Sequence, residues 1–182
     1  MVDLTTTADV KAWLNITGSS EDAVIARLVT AASNYIQSWL NRSFAVATYT
    51  DVSNGNNEST KMFSNYPVQS VSSVTISGIS IPPSPDGIAY GYVFDTQSIA
   101  LIGTTCGRGL KNVRITYTAG YSSVPFEIAQ ACIELVAIRY RERTRVGEVS
   151  KSLGGETVSF TQKDMPDSVR TILNNYKKVI PQ

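Results

Sequence analysis

The chain contains no histidine, only two cysteines and no long apolar run. Without histidine there can be no Ser-His-Asp triad, no Cys-His dyad and no histidine-ligated zinc site. Two cysteines supply neither a disulfide framework nor a four-thiolate zinc centre. No segment approaches the roughly 20 apolar residues that cross a membrane, and the first residues lack the features of a secretory signal. We therefore expect a soluble protein with no metal site, cofactor or membrane segment, and this composition disfavours an enzyme without excluding one.

The formal net charge of the 182 residues is +1, but the charges are unevenly distributed. The first 90 residues carry four basic and seven acidic side chains, whereas residues 91–182 carry twelve basic and eight acidic ones. Residues 43–123 contain only eight charges and are rich in Ser, Thr, Val, Ile and aromatic residues. This composition favours strands in the middle of the chain and helices on either side. It also lacks the strongly basic balance of most nucleic-acid-binding proteins.

Apolar residues at helical spacing predict four helices. We expect Thr7 to be the N-cap of the first helix and Trp13 to lie on its apolar face. The residues Ser19–Asp22 match a capping box, which predicts the start of the second helix. The four predicted helices cover residues 7–14, 19 to about 41, 125 to about 140, and 164 to about 176.

The middle of the chain predicts about six strands separated by turns. Residues 52–60 are polar and read as a loop, whereas alternating apolar residues in 113–117 predict a strand with one buried face. The fold class is therefore α+β, a small helical bundle with an inserted antiparallel β region. We expect one domain over 1–182, with a helical core of 1–43 and 122–180, a β insertion of 44–121, and a flexible arm or loose hairpin over 146–163.

Three features suggest chemistry, but each has a simpler explanation. The glycine-rich segment Gly103–Gly109 lacks the Gly-Lys-Ser/Thr end of a phosphate loop, so we expect a hairpin turn, with a ligand loop and a catalytic Cys106 as alternatives. Cys132 falls on an apolar helical stripe and reads as a small buried side chain. Glu127 and Glu134 are too weak a pattern to indicate an acid–base pair.

The segment from Arg139 to Arg145 contains four arginines and is the main charge cluster. It can be a solvated helix end, where cations complement the helix dipole, or a surface that contacts an acidic protein or a nucleic-acid backbone. The aromatic residues of the middle region can form ordinary strand packing or a platform for carbohydrate or peptide. These aromatic residues are Tyr49, Phe63, Tyr66, Tyr90, Tyr92, Phe94, Tyr117 and Tyr121.

The order of segments resembles the head–tail connector proteins of tailed phages, also called adaptor or head-completion proteins. Similar segments occur along the whole chain, and their order is more specific than any one of them. The resembling segments are Asp3–Leu14, Glu21–Leu40 with the following Asn41–Phe44, Arg114–Tyr121 leading through Val124–Pro125 to Tyr140, and Met165–Leu173 with Tyr176.

The resemblance implies a structural subunit of the virion neck that assembles in the host cytoplasm. It implies a ring, typically of twelve copies, beneath the portal protein, with a monomer in solution left open. Such a ring extends the channel through which DNA passes without sequence-specific binding, and it docks a tail or stopper protein. The polar segment between the last two helices is then expected to dock the portal. The implied partner-binding residues are Arg139, Arg141, Arg143, Arg145, Lys151 and Lys163.

Overall fold

A computed structural model of the chain describes residues 2–143, 150–153, 156–159 and 165–177, with only the backbone described for 150–153 and 156–159. The predicted α+β class is confirmed, since the described residues form four helices and antiparallel sheets. The chain divides into two compact units. The helical unit combines Met1–Phe44 with Ser123–Lys178, and the β unit contains Ala45–Ser122. That both units act as one domain stays a prediction.

The helical unit is built from the predicted helices. Helix α2 packs against α3, α4 packs mainly against α3, and α1 contacts both α2 and α3. Every helix contributes side chains to the core, among them the fully buried Val10, Ile25, Ile128 and Val169. The bounds are Thr7–Leu14 for α1, Asp22–Leu40 for α2, Phe126–Glu142 for α3 and Asp167–Asn174 for α4.

The short helix α1 differs from its prediction in two ways. Its N-cap is Thr6 and not Thr7, because the Thr6 hydroxyl accepts the hydrogen bond from the Asp9 backbone N–H at 3.1 Å. Trp13 is 52% exposed and does not belong to the buried face. It lies in the last turn of this two-turn helix, just before the chain turns away at Asn15 in a left-handed conformation.

The predicted capping box of α2 does not form. Glu21 occupies the N-cap position without a side-chain capping bond. The carboxylate of Asp22 instead lies 2.6 Å from Lys11 Nζ, so it joins α2 to α1. The end of α2 agrees with its prediction, because Asn41 takes the left-handed conformation that terminates many helices.

The β unit contains two antiparallel sheets. The four-stranded sheet has the order β1-β7-β3-β4 and the three-stranded sheet has the order β2-β6-β5. The loop expected over 52–60 begins later, because Val52 pairs with Arg114 and extends β1 beyond its predicted end. The bounds are Ala47–Gly55 for β1, Thr60–Met62 for β2, Val68–Ile76 for β3, Ile79–Ile81 for β4, Gly91–Phe94 for β5, Ser98–Ile102 for β6 and Gly109–Ala119 for β7.

Both sheets contribute to one apolar core in the β unit. The predicted alternation in β7 is confirmed, since Val113, Ile115 and Tyr117 are all buried. Side chains from the three-stranded sheet, such as Tyr92 and Ile99, belong to the same cluster. Burial on one face of each sheet is the usual basis of stability in such layered structures.

Part of the expected arm lies within the described residues. Strand β8, Ser150–Leu153, pairs antiparallel with β9, Glu156–Ser159. Of the two predictions for this segment, a flexible arm or a loose hairpin, this pairing agrees with the hairpin. The remaining residues of 146–163 lie outside the described residues. Within the described ranges, no helix combines the length and the apolar character that a membrane span requires.

Candidate partner-binding surface

The described arginines of the basic cluster lie in the last turns of α3. Arg139 and Arg143 are four residues apart and therefore share one face of the helix. That face is directed at α2, because the Arg139 guanidinium carbon lies 4.9 Å from the ring centroid of Tyr35. Such a distance is within the range of a cation–π contact. Arg139 is consequently half-buried and engaged within the helical unit.

Arg143 makes three contacts at the end of α3. Its Nη2 lies 3.2 Å from Glu21 Oε2, its Nη1 donates to the Tyr140 carbonyl at 2.8 Å, and its guanidinium carbon lies 3.8 Å from the Tyr140 ring centroid. Both partners of the ion pair remain about one third exposed, so the pair contributes at most about 1 kcal/mol. Its main effect is geometric, since it places the end of α3 beside the start of α2.

Arg141 differs from both neighbours. Its side chain is exposed and forms no hydrogen bond, ion pair or ring contact with any described residue. Arg145 and Lys163 lie outside the described residues, and of Lys151 only the backbone, in β8, is described. Of the six expected partner-binding residues, Arg139, Arg141 and Arg143 are therefore placed together at the end of α3, and among these three only Arg141 has no contact partner within the described residues.

The segment that follows the expected arm, from Met165 through α4, is also packed in the helical unit. Met165 is 2% exposed, and Val169 and Leu173 of α4 are fully buried. Beyond α4, the Tyr176 hydroxyl donates to Glu127 Oε2 at 2.8 Å. Residues 144–164 are therefore bordered on both sides by segments that pack in the helical unit.

The segment Gly103–Gly109 is not the expected hairpin turn. It connects β6 to β7, and these strands belong to different sheets. Cys106 is 2% exposed, and its backbone N–H donates to the Glu58 carbonyl at 2.9 Å. Burial raises the pKa of this thiol, which is the opposite of what a cysteine nucleophile requires. The arrangement gives no support to a catalytic Cys106.

The second thiol is equally unsuited to catalysis. Cys132 is fully buried in α3, and burial raises its pKa to about 11. Its Sγ lies 3.6 Å from Ser33 Oγ of α2. Both cysteines are free thiols, and the described residues contain no cluster of potential metal ligands.

The aromatic residues of the β unit mostly serve as packing. Tyr117, Phe63 and Tyr92 are buried, and the ring centroids of Phe63 and Tyr117 are 4.6 Å apart. Of the eight aromatic residues considered for a platform, all within the described ranges, only Tyr90 and Phe94 are exposed. This distribution favours strand packing over a carbohydrate- or peptide-binding surface.

The partners of the arginines were not identified from sequence. Glu21 reads as a helix-start residue in the sequence, yet it pairs with an arginine 122 residues away. Tyr35 reads as part of the apolar stripe of α2, yet its ring receives Arg139. Helical periodicity reports which residues share a face but not which side chain of another helix meets that face, so no sequence signal identifies either pair.

The chain matches the sequence model of one protein family and resembles chains in several solved structures. The sequence model of the family described as "HCP: Head completion protein" matches residues 3–179. A chain in the solved structure "Neck of empty GTA particle computed with C6 symmetry" has 20% identity and a TM-score of 0.55, with 97% of this chain and 90% of that chain covered.

Two further solved structures contain similar chains. One is "Virion of native gene transfer agent (GTA) particle", with 19% identity, a TM-score of 0.55, and coverage of 97% of this chain and 90% of that chain. The other is "Neck of native GTA particle computed with C12 symmetry", with 18% identity, a TM-score of 0.51, and coverage of 92% and 95%. At these identities the likeness establishes a shared fold. No curated protein sequence matches the chain.

Proposed function

Because the chain belongs to the head completion protein family, we propose that it is a structural subunit of the neck of a tailed-phage or phage-like particle. Twelve copies form a ring beneath the portal protein, extend the DNA channel and dock the next neck or tail protein. The ring is assembled in the host cytoplasm and remains in the virion neck. The subunit acts by burying surface against its neighbours and not by catalysis.

The observation that carries this proposal is the extent of the family match. It spans residues 3–179 and so includes both the helical unit and the β unit. The similar chains in GTA particle necks also align over more than nine tenths of this chain. Those necks were computed with C6 and C12 symmetry, and a ring of twelve copies is compatible with either operator.

We assign portal docking to the expected arm, residues 146–163, together with the basic residues at its borders. Both borders support this role, because α3 is fixed to α2 by Arg143 and Glu21, and the following segment is anchored through Met165. Fixed ends reduce the conformational entropy that docking must overcome. In a ring, the copies are held together and bind the portal at the same time. The total affinity therefore exceeds that of one copy, and the contact made by each copy can be weak.

The charge distribution supports passage of DNA without tight binding. The net charge is +1, and residues 43–123 contain only eight charged side chains. Affinity for DNA comes mainly from neutralising phosphates with lysine and arginine. A nearly neutral subunit therefore lines a channel without holding the DNA in place.

The test is binding of the purified chain to the purified portal protein, with cross-linking and mass spectrometry to locate the contacts. The wild-type chain is expected to cross-link to the portal through residues 139–163. Deletion of residues 148–162 is expected to keep the helical content and the unfolding temperature while removing portal binding. Cross-links that leave out this segment, or unfolding of the deletion variant, would contradict the assignment.

A further inference from the structure

One end of the β unit carries exposed apolar side chains on a hydrogen-bonded framework. We infer that this end binds an apolar surface of the protein that follows this chain in the neck. The inference rests on the proposed function and deepens it, because it names the surface that docks the next neck or tail protein and the chemistry of that contact. We call this end the distal end, and it consists of residues 55–59, 77–79, 82–90 and 103–111. Its contact residues are Ile79, Ile88, Tyr90 and Leu110.

The directions of the strands bring two of these side chains to the same end of the four-stranded sheet. The last residue of β1 pairs with the first residue of β7, which precedes Leu110. Ile76, the last residue of β3, pairs with Ile79 of β4 and also with Val113, which lies near the start of β7. Ile79 and Leu110 therefore lie where β1 and β3 end and where β4 and β7 begin.

The three-stranded sheet has its corresponding end in the same place. Gly91 at the start of β5 pairs with Ile102 at the end of β6, so residues 82–90 lead into this end. The two sheets are joined here, because the Asn57 N–H between β1 and β2 donates to the Cys106 carbonyl between β6 and β7 at 2.8 Å. All four contact residues therefore lie at the distal end, whereas the chain enters and leaves the β unit at the other ends of β1 and β7.

The contact residues are among the most exposed large apolar side chains of the described residues. Leu110 and Ile88 are 84% and 81% exposed, and Ile79 and Tyr90 are each more than half exposed. Together the four residues expose on the order of 500 Å², which is within the range of the largest apolar patches on monomeric proteins, and such patches are often functional. A single exposed apolar residue needs no explanation, whereas four at one end of a unit indicate an interaction surface.

Hydrogen bonds hold residues 82–90 in one conformation. The Asp86 carboxylate accepts hydrogen bonds from the N–H groups of Ala89 and Ile88 at 2.8 and 2.9 Å. The Ser84 hydroxyl accepts one from the Gly87 N–H at 3.1 Å and donates one to the Ala89 carbonyl at 2.9 Å. These polar groups bond to one another, while the Ile88 side chain remains in solvent. A loop that is already ordered loses little conformational entropy on binding.

The side chain of Asn112 joins three other segments of the distal end. Its Oδ1 accepts a hydrogen bond from the Gly55 N–H at 2.8 Å, and its Nδ2 donates to the Gly107 carbonyl at 2.8 Å and to Ser77 Oγ at 3.2 Å. These bonds connect the end of β1, the segment between β6 and β7, and the turn between β3 and β4. The contact residues of β4 and β7 each lie two residues from this network, so they are presented by a fixed framework.

The charge balance of the distal end favours a protein partner. Its acidic residues Glu58 and Asp86 are balanced by its basic residues Arg108 and Lys111, so the formal net charge of this end is zero. Surfaces that bind DNA gain affinity by neutralising many phosphates, and surfaces that bind acidic lipids carry clusters of lysine and arginine. Apolar side chains in neutral surroundings instead match the buried centre of a protein–protein interface, which is poor in charge and rich in aromatic residues.

The size of the surface favours a partner other than a second copy of this chain. About 500 Å² is less than the roughly 800 Å² that each partner of a stable complex buries. Two distal ends in contact would also be related by a two-fold axis, whereas neighbours in a cyclic ring meet through two different surfaces. The same small contact becomes strong when every copy of a ring presents it to one partner assembly. Because portal docking is assigned to residues 146–163, outside the β unit, the distal end is assigned to the next neck or tail protein.

The experiment is complementation in vitro, with an extract that contains every protein of the particle except this chain. Purified wild-type or variant chain is added to the extract. Sedimentation and immunoblotting measure its incorporation into filled heads, and electron microscopy counts the heads that are joined to tails. Ile88→Asp and Leu110→Asp each place a charge in the contact and are expected to lower the number of joined particles about tenfold, while incorporation into heads stays within about twofold of the wild type.

The matched control is Met62→Asp. Met62 is 52% exposed and pairs with Ser98 at the start of β6, which is the other end of the three-stranded sheet. This variant is expected to change the number of joined particles less than about twofold, and an effect equal to that of Ile88→Asp would overturn the inference. Ile88→Ser removes the apolar side chain without adding charge and is expected to lower joining about threefold. Unfolding temperatures of all variants are expected to lie within about 2 °C of the wild type, because the substituted residues are exposed.

The outcomes separate this inference from the proposed function. If the wild-type chain does not restore joining, both are wrong. If the wild-type chain restores joining and the variants Ile88→Asp and Leu110→Asp do so equally well, only this inference is wrong. If these two variants fail to enter heads, the distal end contacts the head or a neighbouring copy, and the inference is wrong. It is also wrong if vesicles of neutral phosphatidylcholine bind the wild-type chain and not the two variants, because the occupant is then a lipid surface.

Discussion

The Tyr117 hydroxyl of β7 donates a hydrogen bond to Asp51 Oδ2 of β1 at 2.8 Å. The same hydroxyl accepts a hydrogen bond from the Asn65 backbone N–H at 3.0 Å. Tyr117 is fully buried, and the pKa of its hydroxyl is raised, first by burial and then by the hydrogen bond to Asp51. The pair therefore satisfies a polar group inside the core of the β unit and links the segment around Asn65 to the four-stranded sheet.

Tyr117→Phe is expected to lower the free energy of unfolding by about 1–3 kcal/mol, because it removes both hydrogen bonds of a buried hydroxyl and leaves their partners less well satisfied. Urea unfolding followed by circular dichroism measures the change. The control is Tyr90→Phe, since Tyr90 is 51% exposed; its effect is expected to stay below about 0.5 kcal/mol. Equal effects would show that the buried hydroxyl contributes nothing specific.

Leu173→Ala is expected to lower the free energy of unfolding by about 2–5 kcal/mol, the usual cost of truncating a buried leucine. Leu173 is fully buried in α4, so the substitution leaves a cavity in the helical unit. Arg170→Ala on the exposed side of the same helix serves as the control. A loss no larger than that of the control would mean that α4 does not belong to the core.

Most helices and strands could be predicted from the sequence, but the pairing and packing between them could not. The helices follow from apolar residues at helical spacing, and β7 follows from the alternation of Val113, Ile115 and Tyr117, because both patterns are local. The order β1-β7-β3-β4 depends on pairings between distant strands. For this reason the continuation of β1 through Val52 was missed.

The candidate site shows the same limit. The cluster of arginines was visible in the sequence, but the difference between Arg141 and Arg143 was not. That difference depends on Glu21, which lies 122 residues from Arg143 along the chain. The segment around Cys106 was predicted to be a hairpin turn because its glycines indicate a turn. The strands on either side of it belong to different sheets, and this depends on the tertiary structure.

The Cys132 thiol is expected to make stability fall at alkaline pH. Burial raises its pKa from the ordinary value of 9.0 to about 11. The protonated form is thus favoured by folding, so this contribution is fully present below pH 9 and is lost as the pH rises toward about 11. The urea concentration at the midpoint of unfolding is measured at pH 8 and at about pH 10.5. Between these pH values it is expected to fall further for the wild type than for Cys132→Ala.

Cys132→Ala serves as the control for this pH dependence, because it has no thiol at position 132. Cys132→Ala is expected to be less stable than the wild type at pH 8, because the substitution leaves a small cavity in α3. The difference between the two proteins should therefore narrow as the pH rises. A constant difference at both pH values would contradict the raised pKa of Cys132.

The loop before β5 is expected to respond to acid through Asp86. Its Oδ1 accepts hydrogen bonds from the backbone N–H groups of Ala89 and Ile88 at 2.8 and 2.9 Å, and these bonds lower the pKa of the carboxyl below its ordinary 3.8. The stability that these hydrogen bonds add to the loop is therefore fully present above pH 3.8 and is lost as the pH falls through the lowered pKa.

Nuclear magnetic resonance measures this response directly. The amide shifts of Ile88 and Ala89 are expected to titrate together with a midpoint below pH 3.8, and Asp86→Ala is expected to abolish the titration. Asp95 offers a comparison, because its carboxyl also accepts two backbone N–H bonds and has a lowered pKa. A midpoint at or above pH 3.8 for the Ile88 and Ala89 amides would show that the hydrogen bonds do not hold the carboxylate form.

The most direct test of the central claim is electron cryomicroscopy of the neck of the particle that contains this chain. We expect a ring of twelve copies between the portal and the tail, with residues 139–163 of each copy against the portal and DNA passing through the centre. A neck without this chain, or a chain located there without contact to the portal, would show that the proposed function is wrong.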